Sequence, residues 1–190
     1  LLLRFYLHPA ERDAIWAGKA EGGHLDLPRM KAGGFAGGFF AIYIPSPAVP
    51  DAPDAASSDQ KMDQPPYDLP LPDPLDGDRA RAIALAQAGH LMAIERTGTL
   101  RICRSVADIR AAMAAGQIAA ILHMEGAEAI DESLDALHLW HALGLRSLGP
   151  VWSRPTIFGH GVPFRFPGTP DTGPGLTDAG KRLVRECNRL

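Results

Sequence analysis

The stretch QIAAILHMEG, residues 117–126, limits what this chain can become. Five consecutive apolar residues, 118–122, run into His123, Glu125 and Gly126. A short apolar run closed by a glycine reads as a strand buried on both faces, the habit of parallel sheets covered by helices. FAGGFFAIYIP, residues 35–45, is apolar, ends at a proline and reads the same way. Neither run shows the strict alternation of an antiparallel sheet with one wet face.

The segments around these runs carry helical period and helix punctuation. AERDAIWAGKA (10–20) predicts a short helix. DGDRARAIALAQAGHLMAIERTG (76–98) has aspartates in front and Gly98 behind, with Ala80, Ile83, Ala84, Ala88, Leu91 and Ile94 along one face. LRIC (100–103) is a short strand. SVADIRAAMAAG (105–116) opens with a Ser105/Asp108 capping-box pattern and stops at Gly116. DESLDALHLWHALG (131–144) is a helix with Leu134, Leu137 and Trp140 on one side. LRSLGPVW (145–152) is strand-like, residues 153–175 form a Gly- and Pro-rich loop, and TDAGKRLVRECNRL (177–190) is a last helix with Ala179, Leu183, Cys187 and Leu190 inward. Strand and helix alternate, which predicts an α/β fold with a parallel sheet. A (β/α)8 barrel and a doubly wound sheet both satisfy the pattern. A closed barrel takes about 250 residues, more than the 190 present.

Residues 45–76 are different material. Nine prolines fall between Pro45 and Pro74, mixed with Asp, Ser and Ala. A loop of this length is a functional lid, a disordered insertion, a solvated excursion or a subunit contact.

Composition removes several function classes. A net charge of −3 argues against nucleic acid and anionic membranes as partners. No apolar run approaches 18 residues, so no transmembrane helix is expected. Two cysteines make no disulfide framework and fit a reducing compartment, so the cytoplasm is the expected location. LLLRFYLHP lacks a basic leader and an initiator Met, and the natural N-terminus is expected to precede Leu1. There is no P-loop, nucleophile elbow or dinucleotide fingerprint.

Glu125 is the sharpest chemical signal. A carboxylate at the carboxyl end of a parallel strand sits where such folds place catalytic groups, and burying it without a partner is costly. A metal, a helix N-terminus or an arginine would each satisfy it. His123, two residues earlier, shares its face and reads as a packed or supporting histidine. His24 and Asp26 form an H-x-D pair, but in a polar, turn-rich setting where Asp26-Leu27-Pro28 equally serves as a turn or helix start. His90, His138 and His141 lie on helices and read as surface or packing residues. His160 sits between two glycines in a loop after a strand, a setting that lets backbone approach a ligand. Trp152 ends a strand and could wall a pocket. Arg154 could pair with a substrate carboxylate or a protein one.

Four segments, HLDLPRMKAGGFAGGFFAIYIP, ILHMEGAEAI, LHLWHALGLRSLG and GPGLTDAGKRLVRECNRL, resemble in order the membrane (renal-type) dipeptidase family, peptidase family M19. The resemblance implies a (β/α)8 TIM-type barrel of the metal-dependent hydrolase superfamily, with residues 1–190 as its N-terminal portion and 45–76 as a Pro-rich insertion. It implies a site for two zinc ions bridged by Glu125, and hydrolysis of dipeptides, with a D-residue accepted at the C-terminal position, by a hydroxide shared between the metals. The family's metal-binding H-x-D would precede Leu1, so His24 and Asp26 match a different, non-ligand motif. The remaining zinc ligands would follow Leu190. Where many members carry a histidine that contacts substrate, this chain has Trp152, and His160 is a candidate replacement; both are expected to bind substrate. A homodimer is the oligomer left open. Two other readings stand beside this one: a barrel amidohydrolase with a single metal, and a metal-free relative acting as a binding protein.

Overall fold

In a computed structural model of the chain, residues 1–47 and 61–190 are described. In chain order the elements are α1 (Leu2–Leu7), a 3-10 turn (Pro9–Glu11), α2 (Arg12–Trp16), α3 (Leu27–Ala32), β1 (Gly37–Tyr43), β2 (Tyr67–Asp68) and α4 (Gly77–Glu95). Then follow β3 (Leu100–Ile102), α5 (Val106–Ala114), β4 (Ile118–Glu125), α6 (Asp135–Leu143), β5 (Leu145–Gly149), β6 (Arg165–Phe166) and α7 (Asp178–Cys187). No helix among the described residues is long and apolar enough to cross a membrane.

β4 is the spine of the sheet. β1 pairs with it in parallel, from Gly37 opposite Ala119 to Tyr43 opposite Glu125. Its other edge carries two strands in succession, both parallel: β3 against Ile118–Ala120, then β5 from Leu122 to Glu125, with a register shift between Leu122 and His123. Gly37 permits the first of these contacts, because a Cβ there would strike the Ala119 carbonyl. The all-parallel pairing matches the sequence expectation, and the strands β1, β4 and β5 with helices between them form an arc of barrel wall.

Burial follows a period of two. Phe40, Ile42, Leu122 and Met124 are buried on the outer face, under the helices. The intervening Phe39, Ala41, Tyr43, Ile121, His123 and Glu125 look to the inner face, where Phe39 is 66% exposed. The expectation of two covered faces is therefore met on one face only. In a barrel the inner face is filled by side chains from strands around the whole ring, and an arc does not supply them.

The helices largely keep the faces their spacing predicts, except that Leu190, expected inward, lies past the end of α7 and is exposed. On α4, Ala80, Ile83, Ala84, Ala88 and Leu91 are buried, and Asp76 caps its start by accepting from the Arg79 N–H. Ser105 caps α5 by accepting from the Asp108 N–H, as the capping-box pattern requires. α6 begins later than predicted, at Asp135, because residues 131–134 close a turn in which the Leu134 N–H donates to the Asp131 carbonyl. No element is predicted over 1–8, yet α1 forms there and buries Leu2 and Phe5.

The Pro-rich segment falls partly outside the described residues, over 48–60. Its return limb does not float. β2 pairs antiparallel with β6, Asp68 meets Arg165 at 2.9 Å, and the Leu69 N–H donates to the Phe164 carbonyl at 2.8 Å.

Candidate active site at the carboxyl ends of the strands

The outward burial of Met124 turns Glu125, its neighbour and the last residue of β4, to the inner face. Tyr43 is the ladder partner of Glu125 on β1, so the two side chains stand side by side. Gly126 then turns the chain with φ +85, and a Cβ there would collide with the Glu128 carboxylate. Tyr43, Glu125 and Glu128, with Trp152, Arg154 and Phe164, line one cavity of ≈ 270 Å³. A larger groove of ≈ 420 Å³ lies between α6, β5 and α7, but Leu137, Leu145, Leu148 and Leu183 wall it and no carboxylate reaches it.

The cavity has two ends of different chemistry. At the polar end Arg154 donates to Glu128 Oε1 at 2.7 Å, to the Ile44 carbonyl at 3.1 Å and to Ser46 Oγ at 2.8 Å. Burial pushes the Glu128 carboxyl above the usual range, and the Arg154 charge pulls the other way. At the other end Tyr43, Trp152 and Phe164 meet edge to face, with centroids 6.2 Å and 5.3 Å apart.

Of the residues singled out in the sequence, Glu125 and Trp152 share this cavity. Arg154 joins them, and its partner is a protein carboxylate. His123 lies lower on the same face, where Nδ1 shares a hydrogen bond with Ser147 Oγ at 2.8 Å and the ring meets Phe39 edge to face. His160 is exposed and is not among the residues that line the cavity. Its flanking glycines are closely packed: a Cβ on Gly159 would meet Val151 and one on Gly161 the Ser153 carbonyl.

Asp26 is the N-cap of α3, accepting from the Arg29 N–H at 2.8 Å and pairing with Arg29 Nε at 2.7 Å. His24 is exposed in the turn before it. Asp26 thus serves the helix start, and neither residue of the pair lines the Glu125 cavity. His138 faces Glu186 at 3.7 Å, and burial beside Arg12 lowers the His90 pKa.

Glu128, Tyr43 and Phe164 escaped sequence reasoning. A second glutamate three residues after Glu125 was the available signal for Glu128; the other two carry none in their local pattern. Gln87 was also missed. It is wholly buried on the apolar face of α4, and its side-chain amide accepts from the Tyr43 N–H at 3.1 Å and donates to the Tyr43 carbonyl at 2.6 Å.

Among the described residues no three His, Cys, Asp or Glu side chains converge to hold a metal. Glu128 Oε1 is held by Arg154 while its buried Oε2 has no partner among the described residues, and Glu125 is the cavity carboxylate with neither oxygen tied to a cation there. Catalytic zinc takes about three protein ligands. Glu125 therefore fits as one ligand of such a group, and the described residues bring no two others beside it.

The sequence profile of Membrane dipeptidase (Peptidase family M19) matches residues 7–190. A metallo peptidase from Rhodobacter sphaeroides, solved with a phosphinate mimic of the dipeptide L-Ala-D-Ala, is 61% identical, with a TM-score of 0.92 over 100% of this chain and 54% of its own. The solved dipeptidase AC, also a metallo peptidase, is 60% identical, with a TM-score of 0.92 over 99% of this chain and 52% of its own. A protein encoded in the PQQ-III 3′ region of Acinetobacter calcoaceticus is 40% identical over 167 residues, 87% of this chain and 50% of that protein. The chain spans about half the length of these relatives. Its parallel arc is part of their (β/α)8 barrel, and the chain belongs to the membrane dipeptidase family, peptidase family M19.

Proposed function

We propose that the protein containing this chain is a metal-dependent dipeptidase, and that Glu125 bridges two zinc ions in its active site. The observation that carries this is the position of Glu125: the last residue of β4, on the inner face, uncommitted, in a cavity sized for a small ligand. The solved relative that holds a dipeptide mimic supports the substrate class.

When bound, a metal pair supplies a Lewis acid for the scissile carbonyl and a water of lowered pKa. The chain's own residues hold and shape the site. Glu125 offers both carboxylate oxygens from a rigid strand end. Arg154 ties the loops after β1, β4 and β5 together, which holds that strand end in place. Tyr43 and Trp152 form one side of the cavity. His160, exposed and outside the cavity, carries no role in this reading.

The test is Glu125→Gln in the full-length protein, read as zinc content after dialysis and as L-Ala-D-Ala hydrolysis. About two zincs per chain in the wild type, with loss of zinc and at least a ~100-fold drop in kcat/KM in the variant, is expected. One zinc in the wild type favours the single-metal hydrolase, and none favours the binding protein. A variant that keeps both zinc and activity removes Glu125 from the site. A cytoplasmic location and a homodimer belong to the same proposal; cell fractionation and sedimentation test them.

A further inference from the structure

We infer that Tyr43, Trp152 and Phe164 form a specificity wall that takes an apolar side chain of the substrate, and that the return limb of the Pro-rich segment sets the position of Phe164. The inference rests on the dipeptidase reading and deepens it.

The wall begins at the reaction centre. Tyr43 is cross-strand neighbour to Glu125. Trp152 packs on Tyr43, and Phe164 packs on Trp152, so three rings lead away from the carboxylate in an unbroken row. Trp152 stays 45% exposed although it is the largest side chain there. The row faces the cavity that Glu125 also lines, where a substrate side chain would lie against it. Met62 and Pro72, from the two sides of the return limb, add apolar surface to the same cavity.

Charge bookkeeping sets the ligand class. The cavity holds three ionisable side chains besides Tyr43: Glu125, Glu128 and Arg154. Glu128 and Arg154 neutralise each other at 2.7 Å, and Glu125 is assigned to metal. Among the described residues no charge is left for a charged substrate side chain. The aromatic end then favours an aliphatic or aromatic side chain over glycine, and rejects a carboxylate that would lose its hydration there.

Phe164 reaches the row because two backbone bonds hold it from either side. The Val162 N–H donates to the Trp152 carbonyl at 2.9 Å, and the Leu69 N–H donates to the Phe164 carbonyl at 2.8 Å. The β2–β6 pair and the Asp68–Arg165 ion pair continue the second attachment. Residues 67–69 and 164–166 are thus one clasp, and Phe164 stands on it.

The experiment uses the full-length zinc-loaded protein with Phe164→Ala, Phe164→Leu and Trp152→Ala. Two dipeptide series are assayed, one varying the first residue and one the second, each with Gly, Leu, Phe and Asp. Phosphinate mimics carrying Leu or Gly are titrated in parallel by calorimetry, which reads binding without turnover. In one series the wild type should favour Leu and Phe over Gly and Asp. Phe164→Ala and Trp152→Ala should each shrink the Leu-to-Gly ratio, in kcat/KM and in Kd, on the order of ten-fold, and Phe164→Leu should restore part of it. Ratios unmoved in both series, with zinc content and thermal midpoint retained, overturn the wall while leaving the dipeptidase reading intact. A wild type that hydrolyses none of the dipeptides overturns the dipeptidase reading, and the wall with it.

Discussion

The Arg154 guanidinium and the Glu128 carboxylate meet at 2.7 Å with both side chains more than nine-tenths buried. Removing one member of such a pair leaves the other charged, desolvated and alone. Arg154→Met in the full-length protein is expected to cost about 3–5 kcal/mol, read by urea denaturation at pH 7. The Glu128→Gln/Arg154→Met double variant should lose less than the two single losses combined. The single variant also has a pH signature. Without Arg154, burial raises the folded-state pKa of Glu128 further, opposed by a backbone hydrogen bond alone. A raised pKa favours the folded state below the unfolded value of about 4.3 and disfavours it as pH rises through the folded one. The deficit of Arg154→Met should therefore be small near pH 4 and full at pH 7.

Gln87 meets both backbone polar groups of Tyr43 from a helix 44 residues away. Gln87→Leu keeps the bulk and removes both bonds, leaving a buried N–H and C=O at the end of β1. The expected loss is about 1–3 kcal/mol for each group left unpaired. Because Tyr43 neighbours Glu125, the variant should also raise KM. Urea denaturation and initial-rate kinetics read the two effects, and a stability change below about 0.5 kcal/mol would remove Gln87 from this role.

Asp131 holds the start of α6. Its carboxylate accepts from the Ala136 N–H at 2.8 Å, from the Asp135 N–H at 3.3 Å and from Ser133 Oγ. The Ser133 hydroxyl, and then these amides against a small desolvation, hold its pKa at about 2. A depressed carboxylate stabilises the fold above its unfolded pKa of about 3.9, and that stability is lost as pH falls through the folded value. The group is largely exposed, so solvent discounts the effect. Between about pH 4 and pH 2 the wild type should lose stability faster than Asp131→Asn, measured as the thermal midpoint against pH.

His160 and Gly161 should behave oppositely to what their spacing in the sequence suggests. His160→Ala, at an exposed position outside the cavity, is expected to leave kcat/KM within about two-fold. Gly161→Ala places a Cβ against the Ser153 carbonyl at φ +82, where L-residues are strained, and should cost at least about 1 kcal/mol by thermal denaturation. A large activity loss in His160→Ala, with stability intact, would return the histidine to the site.

What the sequence determined by itself was everything that neighbours in the chain can encode. The apolar run 118–122 became β4 and placed Glu125 at its carboxyl end. The capping patterns at Asp76 and Ser105 started the helices they predict, and Asp26-Leu27-Pro28 started α3. Four motifs in order were enough to indicate the family. Period, capping and turn chemistry act over a few residues, so they leave a local trace. Tertiary structure alone decided which distant groups meet. Arg154 chose Glu128 across 26 residues, Gln87 chose Tyr43 across 44, and the return limb at Leu69 reached Phe164. Such contacts satisfy buried polar groups and complete a cavity only once the strands are in register. A residue's neighbours in sequence carry no record of a partner that the fold delivers from another loop.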